Sequence, residues 1–166
     1  MSIISFIEDA GERLFKHPAP SVGGATPQAA NKPDLAALNR TAADAIKKYV
    51  AAKGLPVDKL EMSYDGNSST VTVSGEVPDQ ATREKIVVCC GNIASVHHVN
   101  DKMTVAHGGD VGEYYTVKSG DTLSKIAKQF YGSADRYSAI FEANKPMLSD
   151  PNKIYPGQTL RVPRLS

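Results

Sequence analysis

The sequence predicts an α+β protein made of two small blocks behind an N-terminal helical peptide. Three observations predict it. Two segments divide the chain: 16–33, rich in Pro, Gly and small residues, which cannot bury enough surface to order itself, and 106–113, which is short and Gly-rich. Block 34–105 carries apolar periodicities in the order α-β-β-α-β. Block 114–163 carries them in the order β-α-α-β.

The elements follow in turn. In residues 1–15, Ile3, Phe6, Ile7, Ala10 and Leu14 stand at helical spacing and form one apolar stripe. A helix this short is marginal in water, so it must dock on something. Pro33-Asp34 opens a long helix over 34–53, with Leu35, Leu38, Ala42, Ala45, Ile46 and Tyr49 as its buried stripe and Gly54 and Pro56 as its exit. Leu60, Met62 and Tyr64 alternate, Asp65-Gly66-Asn67 turns, and Val71, Val73 and Gly75 alternate again, which predicts a hairpin. Pro78-Asp79 opens a second helix, 79–90, with Ile86, Val87 and Cys90 inward and Gly91 just past its end. A strand over about 96–105 closes the block with Val99, Met103 and Val105.

In the last block, Tyr114 to Val117 reads as a strand. Gly120-Asp121-Thr122 turns into a helix carrying Leu123, Ile126, Ala127 and Phe130. A second helix carries Tyr137, Ile140, Phe141 and Asn144. Tyr155-Pro156-Gly157-Gln158 fits a type II turn, with Pro and Gly at its two central positions. Leu160 and Val162 finish as a strand, and Pro163 ends it.

The 166 residues carry 19 basic and 18 acidic side chains, a formal charge of +1. Nothing in that balance favours a nucleic-acid partner. No apolar run approaches a membrane span. Residues 1–15 lack a basic start, and Glu8, Asp9 and Glu12 interrupt their apolar stretch, so no signal peptide is read there and a cytoplasmic protein is expected. The two cysteines, Cys89 and Cys90, are neighbours in the apolar run IVVCC, where Cys packs as a small hydrophobe.

Side-chain chemistry is sparse. His97 and His98 are adjacent on an expected strand start and face opposite sides, while His17 and His107 lie in the linkers, so no histidine metal site is expected. Asp65, Asn67, Ser69 and Glu76 mimic a calcium loop, but Thr70 stands where that loop needs Gly, and VTVSGE reads as strand. Nucleophile-elbow, phosphate-loop and zinc-protease patterns are missing from the sequence, which predicts a binding protein rather than an enzyme.

The last block resembles a LysM domain. The matching residues are Tyr115-Thr116-Val117-Lys118-Ser119-Gly120-Asp121-Thr122-Leu123, Ile126-Ala127, Phe130-Tyr131-Gly132, Ile140-Phe141-Glu142-Ala143-Asn144 and Ile154-Tyr155-Pro156-Gly157-Gln158-Thr159-Leu160. The resemblance implies a groove for N-acetylglucosamine polymers between two loops. Those loops hold Gly120, Asp121 and Thr122 on one side and Ile154, Tyr155, Pro156 and Gly157 on the other.

The middle block resembles a BON domain, through Val71-Thr72-Val73-Ser74-Gly75-Glu76-Val77-Pro78 and Gly91-Asn92-Ile93-Ala94-Ser95-Val96-His97-His98-Val99-Asn100-Asp101. BON before LysM, behind Phe6-Ile7-Glu8-Asp9-Ala10-Gly11-Glu12-Arg13-Leu14, resembles the small cytoplasmic bacterial potassium-binding proteins of the BON–LysM type. The long Pro/Gly/Ala linker at 16–33 departs from them.

That resemblance implies a monomeric stress-response protein whose ligand is K+. It implies main-chain carbonyl ligands from Ile7, Ala10 and Glu12 in the N-terminal peptide and from Gly91, Ile93 and Val96 at the helix exit. Carbonyl oxygens can replace the water shell of potassium. A helix C-terminus presents such carbonyls with a partial negative charge. LysM would then serve as an interaction module for a protein or glycan partner. Two alternatives stand beside this reading. One is a peptidoglycan-binding LysM protein, against which the absent signal peptide argues. The other is a membrane-associated BON protein anchored by the Ile3/Phe6/Ile7 stripe, whose neighbours Glu8, Asp9 and Glu12 anionic lipid would repel.

Overall fold

The computed structural model describes residues 34–165. The expected N-terminal helix and the linker at 16–33 lie outside the described residues. The described chain is α+β. It runs α1 (Leu35–Ala52), β1 (Leu60–Asp65), β2 (Thr70–Asp79), α2 (Gln80–Gly91), β3 (His98–His107), β4 (Glu113–Thr116), α3 (Leu123–Tyr131), a 3-10 turn (Ala134–Arg136), α4 (Tyr137–Ala143) and β5 (Thr159–Val162).

The first half is a three-stranded sheet in the order β1-β2-β3. β2 is its centre, antiparallel to β1 and parallel to β3, with α2 as the crossover. Helices α1 and α2 cover one face, and Ile46, Val50, Leu60, Val71, Val73 and Ile86 are the heart of the core between them. The other face carries exposed polar residues such as Glu61, Ser63, Asn100 and Lys102. Alternation along β1 and β2 therefore did what a half-buried sheet requires.

Local chemistry sets the helix starts. The Asp34 carboxylate accepts from Ala36 N–H at 3.1 Å, and the Asp79 carboxylate from Thr82 N–H at 2.7 Å. The buried stripe of α1 differs from the expected one. Ala43, Ile46 and Val50 are buried, whereas Leu35 is 52% exposed. Burial begins at Ala43, two turns into the helix, and Leu38, Ala42, Ala45 and Tyr49 of the expected stripe are half-buried. The β1–β2 turn also differs. It spans four residues, Gly66–Ser69, because Asp65 pairs with Thr70, and Ser69 takes a left-handed φ of 50°. Asp65 holds this turn through Asn67 N–H and the Ser68 hydroxyl. At Gly75, φ is +125° and a Cβ would collide with the Lys59 carbonyl, so this position needs glycine.

The second half packs a two-stranded antiparallel sheet, β4-β5, against α3 and α4. Its core includes Val117, Leu123, Ile126, Ile140, Leu160 and Val162. Thr122 caps α3, and Gly132 ends it at φ 72°. The expected type II turn is present, with Gly157 at φ 89° and Gln158 N–H donating to the Tyr155 carbonyl at 3.1 Å.

Candidate functional site

The candidate carbonyl ligands of the BON-like half lie on the exit of α2. Asn92 caps that helix with φ −87° and ψ 3°, and its N–H donates to the Val88 carbonyl at 3.1 Å. Ile93 N–H donates to the Cys90 carbonyl at 3.2 Å, and Val96 N–H to the Ile93 carbonyl at 2.8 Å. The side chains of Ile93 and Val96 are buried in the core, and the Tyr64 hydroxyl donates to the Ser95 carbonyl at 2.9 Å. The loop is therefore pinned from inside. Among the described residues, no backbone N–H of a turn or loop donates to the carbonyls of Gly91 or Val96. The Ile93 carbonyl keeps one lone pair beyond its bond to Val96.

Gly91 needs a correction. It is the last residue of α2 rather than a left-handed residue beyond it, and it is not among the glycines of positive φ. The reason lies in Asn92, whose N–H continues the helical ladder while its side chain is taken up elsewhere. Ile7, Ala10 and Glu12 lie outside the described residues.

α2 is buried on two sides. Ile86 and Cys90 were expected inward, but Glu84, Val88 and Cys89 are buried as well, while Val87 is only partly so. The second face meets the LysM-like half. Glu84 is 1% exposed and holds Arg161, 7% exposed, at 2.5 Å. The same carboxylate accepts from Gly112 N–H at 2.9 Å and from the Gln80 amide at 2.7 Å. Two charges buried together need this many partners. Nearby, the Asn92 amide donates to the Thr159 carbonyl at 2.9 Å and accepts from Thr159 N–H at 2.7 Å. Met147 adds an apolar contact to the BON-like core. Sequence reading missed Glu84, Asn92, Gly112 and Arg161. The available signal was a carboxylate between Gln80 and Val88, four residues from each, on a helix whose consecutive apolar run Ile86-Val87-Val88-Cys89-Cys90 cannot all face one side.

The cysteines are core residues. Burial pushes the Cys89 thiol up to about 11 and the Cys90 thiol up to about 12. Among the described residues, no group of three or more His, Cys, Asp or Glu is placed to hold a metal ion.

A second site lies in the LysM-like half, a groove of about 350 Å³. It is lined by Asp121, Thr122 and Ile154, as the sequence suggested, together with Leu123, Tyr137 and Asn152. Tyr155 instead lines a cleft of about 200 Å³ between the halves, with Tyr49, Asn92 and Gln158. Gly120, Pro156 and Gly157 are exposed beside the groove and do not line it. Asp121 is committed to its own turn. Lys118 N–H, and then the Tyr115 hydroxyl, hold its carboxyl below the usual range.

The fold and these two sites define a two-domain protein of BON followed by LysM. Residues 39–107 match the BON domain, and residues 115–163 match the LysM domain. The chain is 41% identical over 164 residues to the potassium binding protein Kbp of Escherichia coli O6:H1, covering 98% of this chain and 99% of that protein, and it belongs to that family. Two shorter similarities accompany it. An uncharacterized protein of Deinococcus radiodurans is 49% identical over 55 residues, 32% of this chain and 21% of its own. The Bacillus subtilis protein YqbP is 37% identical over 59 residues, 30% of this chain and 27% of its own. Among the described residues no helix is long and apolar enough to cross a membrane.

Proposed function

We propose that this protein binds potassium and does not catalyse a reaction. The ion is held by main-chain carbonyls of Gly91, Ile93 and Val96, completed by Ile7, Ala10 and Glu12 from the N-terminal segment. The observation that carries this reading is the 41% identity across nearly the whole chain to a protein named for potassium binding. The loop geometry supports it. Gly91 and Val96 have carbonyls without backbone donors from turns or loops among the described residues, and Gly91 sits at the negative end of α2. A ligand set of neutral oxygens suits a weakly hydrated monovalent ion and lacks the carboxylates that favour calcium. Binding brings the N-terminal ligands and the BON domain to one ion and makes the protein an ion sensor or buffer.

Thermal melts of metal-stripped protein in potassium, sodium, calcium and magnesium chlorides at equal ionic strength test this. A ligand specific to the folded state adds about 2.7 kcal/mol at 100 times its Kd. Potassium should raise the Tm by several degrees and sodium by much less. Identical melts in the two salts sink the reading.

A second reading, saccharide binding through LysM, is favoured by one observation, the groove between Asp121-Thr122 and Ile154 with Tyr137 on its wall. An apolar ring beside polar loop atoms suits a sugar face. Chitin oligomers added to the protein should shift LysM resonances weakly, and Tyr137→Ala should abolish the shift. Tight retention on intact peptidoglycan would instead put this reading first.

A further inference from the structure

Among the described residues, no third strand covers the outer edge of the last strand of the LysM domain. β5 pairs with β4 on its inner side. The outward backbone groups alternate, at Thr159 and Arg161. Both residues are closed by asparagine side chains acting as pieces of strand. Asn144, from the LysM domain itself, accepts from Arg161 N–H at 2.8 Å and donates to its carbonyl at 2.7 Å. Asn92 does the same for Thr159 at 2.7 and 2.9 Å, but Asn92 belongs to the BON domain. It stands between Gly91 and Ile93, two of the carbonyl ligands named above.

We propose that Asn92 is a positioning residue: it couples the helix-exit loop to the LysM domain, so that LysM sets the geometry, and hence the affinity, of the ion site. This rests on the ion reading given under Proposed function. The physical link is short. The peptide plane that carries the Gly91 carbonyl also carries Asn92 N–H, which is bonded to Val88. The next plane carries Ile93 N–H, bonded to Cys90. An Asn92 side chain held at both ends by Thr159 leaves these planes no rotation. Removing the amide frees the loop on its LysM side and leaves a donor and an acceptor of Thr159 without partners. Glu84 and Arg161 keep the domains in contact meanwhile, so the effect is on aim rather than on attachment alone.

Two full-length chains decide it: the unaltered protein and Asn92→Leu. Leu keeps the volume and removes both hydrogen bonds. Potassium is titrated by calorimetry, and 15N relaxation in potassium and in choline chloride reports whether the halves tumble as one body.

At pH 7.5 Asn92→Leu should bind potassium at least tenfold more weakly and show looser BON–LysM coupling. In choline chloride its carbonyl 13C resonances at Gly91 and Ile93 should move away from those of the unaltered protein, a local signature which general destabilisation would not give. Unchanged potassium affinity in Asn92→Leu overturns the proposal, whatever happens to the tumbling. No potassium heat in the unaltered chain overturns the ion reading itself; undisturbed tumbling of Asn92→Leu in choline chloride would then overturn the coupling too.

Discussion

Glu84 and Arg161 stand 77 positions apart in the chain, yet their side chains meet at 2.5 Å with almost no exposure to water. One lies on the crossover helix of the BON domain and the other on the last strand of LysM. The Gly112 N–H, from the connection between the domains, bonds to the same carboxylate. The two domains therefore share one buried polar cluster.

Breaking that pair from one side should be costly. Arg161→Met leaves the Glu84 carboxylate buried without its cation, and a loss of about 3–5 kcal/mol is expected. Combining it with Glu84→Leu should cost much less than the sum of the single changes, because the orphaned charge goes too. Urea unfolding of the two single variants and the double variant measures the coupling.

Two glycines should respond in opposite ways. A Cβ on Gly112 would lie 2.8 Å from Glu84 Oε2 and 3.1 Å from the Val162 carbonyl, so Gly112→Ala should lose about 1–3 kcal/mol. A Cβ on Gly91 meets only Val99, at 3.8 Å. Gly91→Ala should be neutral or stabilising by up to about 1 kcal/mol, since Ala suits a helix better. Its carbonyl is unchanged, so potassium affinity should stay within about twofold, against the severe loss that a left-handed glycine would have implied. Paired melts and titrations check both.

Backbone ligation predicts an asymmetry in the N-terminal segment. Glu12→Gln should leave potassium affinity nearly unchanged, because the main-chain oxygen remains. Deleting residues 1–14 should abolish binding. Normal binding in the deletion would remove Ile7, Ala10 and Glu12 from the site.

The cysteines give a pH dependence. Their folded pKa values, about 11 and about 12, lie above the ordinary thiol value of about 8.5. The unfolded chain therefore loses its thiol protons first. Stability should fall as the pH rises from about 8.5 towards 11, by up to roughly 1.4 kcal/mol per pH unit for each thiol. At pH 8 both thiols should resist alkylation until the domain unfolds, as a mass measurement with and without urea would show.

The sequence by itself determined the elements and the family. Asp34, Asp79 and Thr122 mark helix starts because a short side-chain oxygen meets an N–H two or three residues on. Gly157 marks its turn because only glycine takes φ 89° without strain. These interactions span a few residues, so local pattern reads them. The tertiary structure alone decided what α2 does with its second face. Nothing near Glu84 in sequence reveals that its cation is Arg161, and nothing near Asn92 reveals that its amide completes the edge at Thr159, 67 positions later. A buried charge or amide is tolerated only where the packed chain supplies its partners, and that supply exists only once both domains are folded against each other.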